Sequence, residues 1–329
     1  MKLISESHIE RLLIELLLNF GYQYNFGPTI CPDGENPERE RWNDVVLVDR
    51  FKQAVHSLNP RIPAGAREQA MREVLHIASP DLITNNEKFH RYLTNGVEVE
   101  FQSDGITRGD TVWLIDFEEP ENNEFLIVNQ FTVIEENVNK RPDVVLFVNG
   151  LPLVVIELKN PADENATILS AFKQLETYKE MIPSLFTYNA LLVISDGLDA
   201  RAGSLSAGYS RFSAWKTVDG ELESSPLVSQ LEVLIEGLLN KHVLLDLIRH
   251  FIVFEKSKKV KLVKSRSIGE DTKTGQTVVE TVKKIAAYHQ YHAVNKAVVS
   301  TEKAAVTEGH RKGGVIWHTQ GSGKSLSMV

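Results

Sequence analysis

The stretch RPDVVLFVNGLPLVVIELKN, residues 141–160, holds two apolar runs on either side of Asn149-Gly150. Val, Ile and Phe at this density favour strands, and Asn-Gly is the dipeptide that best turns one strand back onto the next. The stretch therefore reads as a β-hairpin with Asp143, Glu157 and Lys159 at its open end. Whether the loop holds two residues or four, hairpin register brings Asp143 within about a residue of Glu157 across the ladder. Glu157 and Lys159, two apart on a strand, share a face. Two carboxylates so placed suit a hard divalent cation such as Mg²⁺, and an ammonium beside them suits a step that develops negative charge. Metal-assisted phosphodiester hydrolysis asks for both. A lone Glu-x-Lys at a strand end is more often a solvated surface pair. Here Pro142-Asp143 stands one hairpin away and an i,i+4 polar pair follows on a helix, which favours a site.

Outward from the hairpin, VEVEFQ (97–102), DTVWLIDF (110–117), FLIVNQFTVIE (125–135) and NALLVISDG (189–197) are short, rich in β-branched and aromatic residues, and separated by turn signals. They predict a mixed or antiparallel sheet, and with a helix over 166–181 the strands and helices alternate as in an α/β core. Residues 5–20 repeat apolar side chains at helical spacing through Ile9, Leu12, Leu13, Leu16, Leu17 and Phe20, with Gly21 as a C-terminal cap. Residues 43–93 read as mostly helical, as does 228–254. A domain boundary is expected near 240, giving units at 1–240, 241–280 and 281–329.

The 329 residues carry a net charge of −8, which argues against a nucleic-acid partner until local charge is considered. KSKKVKLVKSR (256–266) has six basic residues and no acid, and reads either as a DNA-backbone strip or as a solvated linker. Cys31 is the one cysteine, excluding an intrachain disulfide and a cysteine-built zinc site. With no apolar run long enough to cross a bilayer and no secretory signal, the expectation is a cytoplasmic protein that does not bind membranes.

Near the C-terminus, GGVIWHTQGSGKS (313–325) is a short apolar run entering a glycine-rich turn. Backbone N–H groups around Gly321 and Gly323 suit phosphate, Lys324 would reach the β/γ phosphates, and Ser325 would ligate Mg²⁺. His318 stands where the strict phosphate-loop pattern has Gly. His289 and His292, spaced to share a helical face, lack a third ligand and are expected as exposed helical histidines.

The pattern PD…ExK formed by Asp143, Glu157 and Lys159 resembles the PD-(D/E)xK nuclease superfamily, and residues 160–217 resemble the R (restriction and translocation) subunit of type I restriction endonucleases. Gln174 and Tyr178 match that family's QxxxY motif, HTQGSGKSL matches its phosphate loop, and Gln290 in YHQYHAVNKA (288–297) is similar to the helicase Q motif. The resemblance implies an α/β fold: a PD-(D/E)xK core of mixed sheet flanked by helices, then the first part of a RecA-like P-loop motor. It implies that Asp143 and Glu157 bind Mg²⁺, that Lys159, Gln174 and Tyr178 support cleavage, and that Gln290 reads the adenine of ATP. Glu10 is either a further metal ligand from the first helix, as in some members, or the partner of Ser7 in an S-x-x-E capping box. The implied whole is a bacterial or archaeal enzyme that cuts double-stranded DNA after ATP-driven translocation. Its methyltransferase and specificity partners would hold the S-adenosylmethionine. The chain is expected to be the N-terminal piece of a longer subunit. Rival readings are an inactive DNA-binding or assembly module of the same fold, and an NTP-binding protein of unrelated role.

Overall fold

The computed structural model describes residues 5–103, 105–160, 167–267, 270–306, 309, 311–316 and 323, with 259–267 and 270–278 given by their backbone course. The chain opens with α1 (Glu6–Asn19), then β1 (Gln23–Phe26) and the short α2 (Gly27–Ile30). Three helices follow, α3 (Val48–Leu58), α4 (Ala64–Leu75) and α5 (Leu82–Asn95), as expected for 43–93. Strands come next: β2 (Val97–Ser103), β3 (Ile106–Val112), β4 (Phe125–Asn129), β5 (Val133–Glu135), β6 (Val138–Lys140), β7 (Val144–Val148) and β8 (Leu151–Leu158). Helices α6 (Ile168–Met181) and α7 (Pro183–Thr187) lead to β9 (Leu191–Ser195) and β10 (Ala200–Gly203). Then come α8 (Gln230–Gly237), α9 (Lys241–His250), the long strands β11 (Ile252–Ser267) and β12 (Glu270–Ile285), and α10 (Tyr288–Ala305).

Six strands form one mixed sheet in the order β1-β4-β7-β8-β9-β10, parallel at β1/β4 and β8/β9 and antiparallel elsewhere. Every residue of β4, β7, β8 and β9 is buried. Continuous apolar strands of this kind have to be covered on both faces, which is why they lack the alternation of a half-exposed sheet. The parallel pair β8/β9 needs a crossover, and α6 with α7 supplies it.

The hairpin turns as its dipeptide dictates. Asn149 (φ 53°) and Gly150 (φ 76°) both occupy the left-handed region, the requirement of a two-residue type I′ turn. A Cβ on Gly150 would lie 2.5 Å from the Leu47 carbonyl oxygen, so a side chain is excluded there on contact as well as on φ. From the turn, Val148 faces Leu151 and Phe147 faces Pro152; the register then shifts, so that Leu146 faces Val154 and Val144 faces Ile156. Leu153 is the extra residue of a β-bulge. Without it, Asp143 would continue the ladder opposite Ile156. With it, Asp143 falls opposite Glu157.

Several boundaries differ from the pattern-based reading. In α1 the buried stripe is Ile9, Leu13, Ile14 and Leu17, while Leu12 is 39% exposed, because the helix packs through a face rotated from the expected one. Residues 113–117 lie past the end of β3. The helical pattern at 228–254 splits at Asn240, whose side chain accepts the Val243 N–H and starts a second helix. Residues 252–267 and 270–285, in a region expected as helix, basic linker and turn-rich stretch, form a two-stranded antiparallel ribbon paired along its length. Leu238, Leu244, Ile248, Ile252 and Tyr291 belong to the same hydrophobic core as the sheet, so packing is continuous across residue 240. His289 and His292 are half-buried where exposure was expected. His292 packs against the Trp215 ring at 5.8 Å. No helix among the described residues is long and apolar enough to cross a membrane.

Candidate active site

Asp143 enters β7 and Glu157 nearly ends β8, so the bulged hairpin delivers both carboxylates to one corner of the sheet. Asp143 is 7% exposed and Glu157 is 0% exposed. Asp143 Oδ2 accepts the Leu158 N–H at 2.8 Å. Lys159 Nζ donates to Glu157 Oε1 at 2.8 Å and to the Leu158 carbonyl at 2.9 Å, while its own N–H reaches the Ser195 carbonyl of β9 at 2.9 Å. The second carboxylate oxygen, Glu157 Oε2, is buried without an N–H donor, and the Glu157 and Asp143 carboxyls can hydrogen-bond each other only by sharing a proton.

Such an acceptor is costly unless a proton or cation completes it. Burial, reinforced by the neighbouring Asp143, pushes the Glu157 carboxyl up to about 9, with Lys159 opposing. Burial likewise pushes Asp143 up to about 6, against the Leu158 N–H and Lys159, with Glu6 adding to the rise. Two like charges packed together hold a proton between them in the absence of a cation. The donor set is two hard carboxylates with an unspent oxygen, which fits Mg²⁺ or Mn²⁺ with water completing the coordination.

Tyr178 and Gln174, one turn apart on α6, join this corner. Gln174 Nε2 donates to Tyr178 Oη at 2.5 Å, and the Tyr178 hydroxyl reaches the Arg141 carbonyl at 3.4 Å. Burial and then the Glu157 charge hold the phenol well above its ordinary range, so it stays a neutral donor. The corner opens into a cleft of about 780 Å³ lined by Asp143, Gln174, Tyr178, Thr132, Thr177 and other polar side chains.

Glu10 is occupied differently. Its Oε1 accepts from Asn129 Nδ2 and its Oε2 from Gln130 Nε2, each at 2.7 Å. Gln130 holds a left-handed φ of 54° and donates its N–H to the Asp143 carbonyl at 2.8 Å. Glu10 thus clamps the kink that seats Asp143 from behind. Among the described residues no set of three His, Cys, Asp or Glu side chains is arranged to hold an ion. The capping-box alternative does not form: the N-cap is Ser5, without a side-chain cap, and Ser7 lies inside the helix. The acid of α1 that faces Asp143 is Glu6, one turn before Glu10, and it lines the cleft. Its i,i+4 spacing from Glu10 was the available signal.

At the other end of the chain, Gln290 accepts the Ala287 N–H at the start of α10 and donates to the Gly323 carbonyl at 3.2 Å. Gly321, Lys324 and Ser325 lie outside the described residues. Cys31 is a buried packing thiol that donates to the Pro28 carbonyl.

A family model described as "Type I restriction enzyme R protein N terminus" matches residues 3–211, and one described as "SWI2/SNF2 ATPase" matches residues 289–329. The chain is 42% identical to the "Type I restriction enzyme HindI endonuclease subunit" of Haemophilus influenzae over 99% of its own length and 30% of the relative's. It is 33% identical to the "Putative type I restriction enzyme MjaIXP endonuclease subunit" of Methanocaldococcus jannaschii over 100% of its length and 31% of the relative's. It is 28% identical to the "Type I restriction enzyme EcoprrI endonuclease subunit" of Escherichia coli over 77% of its length and 75% of the relative's. The chain therefore spans less than a third of the length of the first two relatives.

Proposed function

The chain belongs to the family of type I restriction enzyme R proteins, whose N-terminal model it matches over 3–211, and from that premise we propose that residues 1–240 are a Mg²⁺-dependent DNA endonuclease unit of PD-(D/E)xK type. The observation that carries this reading is the meeting of Asp143, Glu157 and Lys159 in one buried corner with Glu157 Oε2 left without an N–H donor.

Asp143 and Glu157 would hold the ion. When bound, it supplies Lewis acidity, lowering the pKa of water and offsetting charge on the phosphate. Lys159, anchored on Glu157 Oε1 and the Leu158 carbonyl, would offer its remaining N–H to the attacking water or the phosphate oxygens. The water oxygen would bond phosphorus as a P–O ester bond breaks, the proton shed by the attacking water passing to solvent and the departing alkoxide taking one up from solvent. Gln174 orients the Tyr178 hydroxyl, which fixes the backbone at Arg141 and with it the approach to Asp143.

The rest of the proposal extends to the longer protein. Residues 241–280 join the nuclease unit to the start of a RecA-like motor at 281–329, where Gln290 and the phosphate-loop residues Gly321, Gly323, Lys324 and Ser325 serve ATP with Mg²⁺. The whole subunit cuts double-stranded DNA after ATP-driven translocation. It works in the cytoplasm with methyltransferase and specificity subunits that carry S-adenosylmethionine. The test is alanine at Asp143, Glu157 or Lys159 in the full-length subunit, assembled with those partners, scoring cleavage and ATP turnover together. Cleavage is expected to vanish while ATP turnover survives; continued cutting would remove these residues from catalysis.

A further inference from the structure

The nuclease reading assigns residues to the ion and the attacking water but none to the strand being cut. The cleft that Asp143 lines is also lined by Lys140 and Arg141, where β6 runs into the hairpin, and by Lys173 of α6, next to Gln174. None of the three forms an ion pair among the described residues. That is notable in a chain of net charge −8, where acids outnumber bases and surface cations readily find partners. Gln130 and Asn139 add neutral amides to the wall, and among the described residues Glu6 is the one acid besides Asp143 that lines it. The aromatic group in the lining is Tyr178, 4% exposed and directed to Gln174 and the Arg141 carbonyl, so among the described residues no ring is offered for a base to stack on. Charge without stacking suits the sugar–phosphate backbone and carries no base readout.

The geometry points to Lys140, Arg141 and Lys173 as a phosphate cradle that seats the backbone of the cut strand over Asp143 without reading its sequence. This rests on the nuclease reading of the same corner. As positioning residues the three act by charge, so their loss shows in the salt dependence of binding before anything else.

The test is fluorescence anisotropy of a short labelled DNA duplex with this chain across a salt series, comparing the parent with K140Q/R141Q/K173Q and the charge-conserving K140R/R141K/K173R. The slope of log affinity against log salt is expected to shrink by roughly 0.9 for each phosphate that is no longer neutralised, so by about 2 to 3 in the glutamine variant. The charge-conserving variant is expected to keep the parent slope. Duplexes of A·T alone and G·C alone are expected to bind within about fivefold of each other, the least that one read base pair would cost. An unchanged slope in the glutamine variant, or a reduced slope in the charge-conserving one, overturns the cradle. Asp143→Asn in the same series separates the two proposals. If it abolishes cleavage in the assembled subunit while K140Q/R141Q/K173Q keeps the parent slope, the site stands and the cradle falls. If it leaves cleavage intact, the site reading falls whatever the slopes show.

Discussion

Glu157 and Lys283 are sealed to the same degree, 0% and 1% exposed, in opposite company. Lys283, near the end of β12, donates to Asn86 Oδ1 at 2.9 Å and to the Asn189 carbonyl at 2.7 Å, and lies 5.6 Å from the centre of the Phe254 ring. Its backbone is gripped as well, N–H to Ser206 Oγ and carbonyl from Ser204 Oγ. Burial pulls its ammonium down to about 7, and beside it His90 is driven to about 3 by burial and by the lysine. Neutral acceptors surround a cation that can shed its proton, and the result is a rivet between the ribbon and the α5 and α7–β9 region. Glu157 meets another carboxylate and keeps an unspent oxygen. Buried charge alone therefore does not mark a site; like charges pressed together with an acceptor to spare do.

The contrast breaks most visibly in activity. Alanine at Asp143 or Glu157 is expected to lower cleavage by the assembled subunit by at least about 10²–10³-fold, the loss typical of removing one charge-stabilising group. Lys283→Met is expected to leave cleavage unchanged once the protein is folded. The same pair of sites separates in stability. Lys283→Ala strands the acceptors on Asn86 and Asn189 and opens a cavity, so denaturant unfolding should show a loss of about 2–4 kcal/mol.

Glu157→Gln should do the reverse. The Glu157 carboxyl is raised in the fold, so between about pH 4.5 and pH 9 the folded state binds more protons than the unfolded one and stability falls as pH rises. Lys283 is depressed, so between about pH 7 and pH 10 the unfolded state binds more protons and its contribution rises with pH. Melting curves without divalent ions should therefore show Glu157→Gln gaining on the parent as pH climbs through that window. Lys283→Met should lose ground to the parent over its own window. Parallel curves for either variant would contradict the assigned burial.

The smallest expected effect concerns Glu10. Glu10→Gln weakens the clamp on Asn129 and Gln130 and should cost less than about tenfold in cleavage while leaving divalent-ion affinity within about twofold, as a partner acting through other residues would. A collapse of ion affinity in that variant would make Glu10 a ligand.

Much of the hairpin was legible in the sequence, because Asn149-Gly150 and two β-branched runs leave little choice of turn. The proximity of Asp143 and Glu157 followed to within a residue. What placed them opposite each other was the bulge at Leu153, a backbone irregularity that residue preferences do not announce. The kink at Gln130 and the use of Glu10 as its clamp were equally hidden, since both depend on which strand lies beside β7. The ribbon is not legible locally, because its alternation is broken by lysines and glycine and its strands are stabilised by pairing with each other. Lys283 carried no local signal, because its partners are about 94 and 197 residues away in sequence.

The measurement closest to the central claim is calorimetric titration of Mn²⁺ into the chain near pH 8, where most Asp143 and part of Glu157 should be ionised. Saturable binding with proton release is predicted for the parent and for Lys283→Met, and none for Asp143→Asn or Glu157→Gln. Equal binding by all four proteins would contradict the assignment of these carboxylates to an ion.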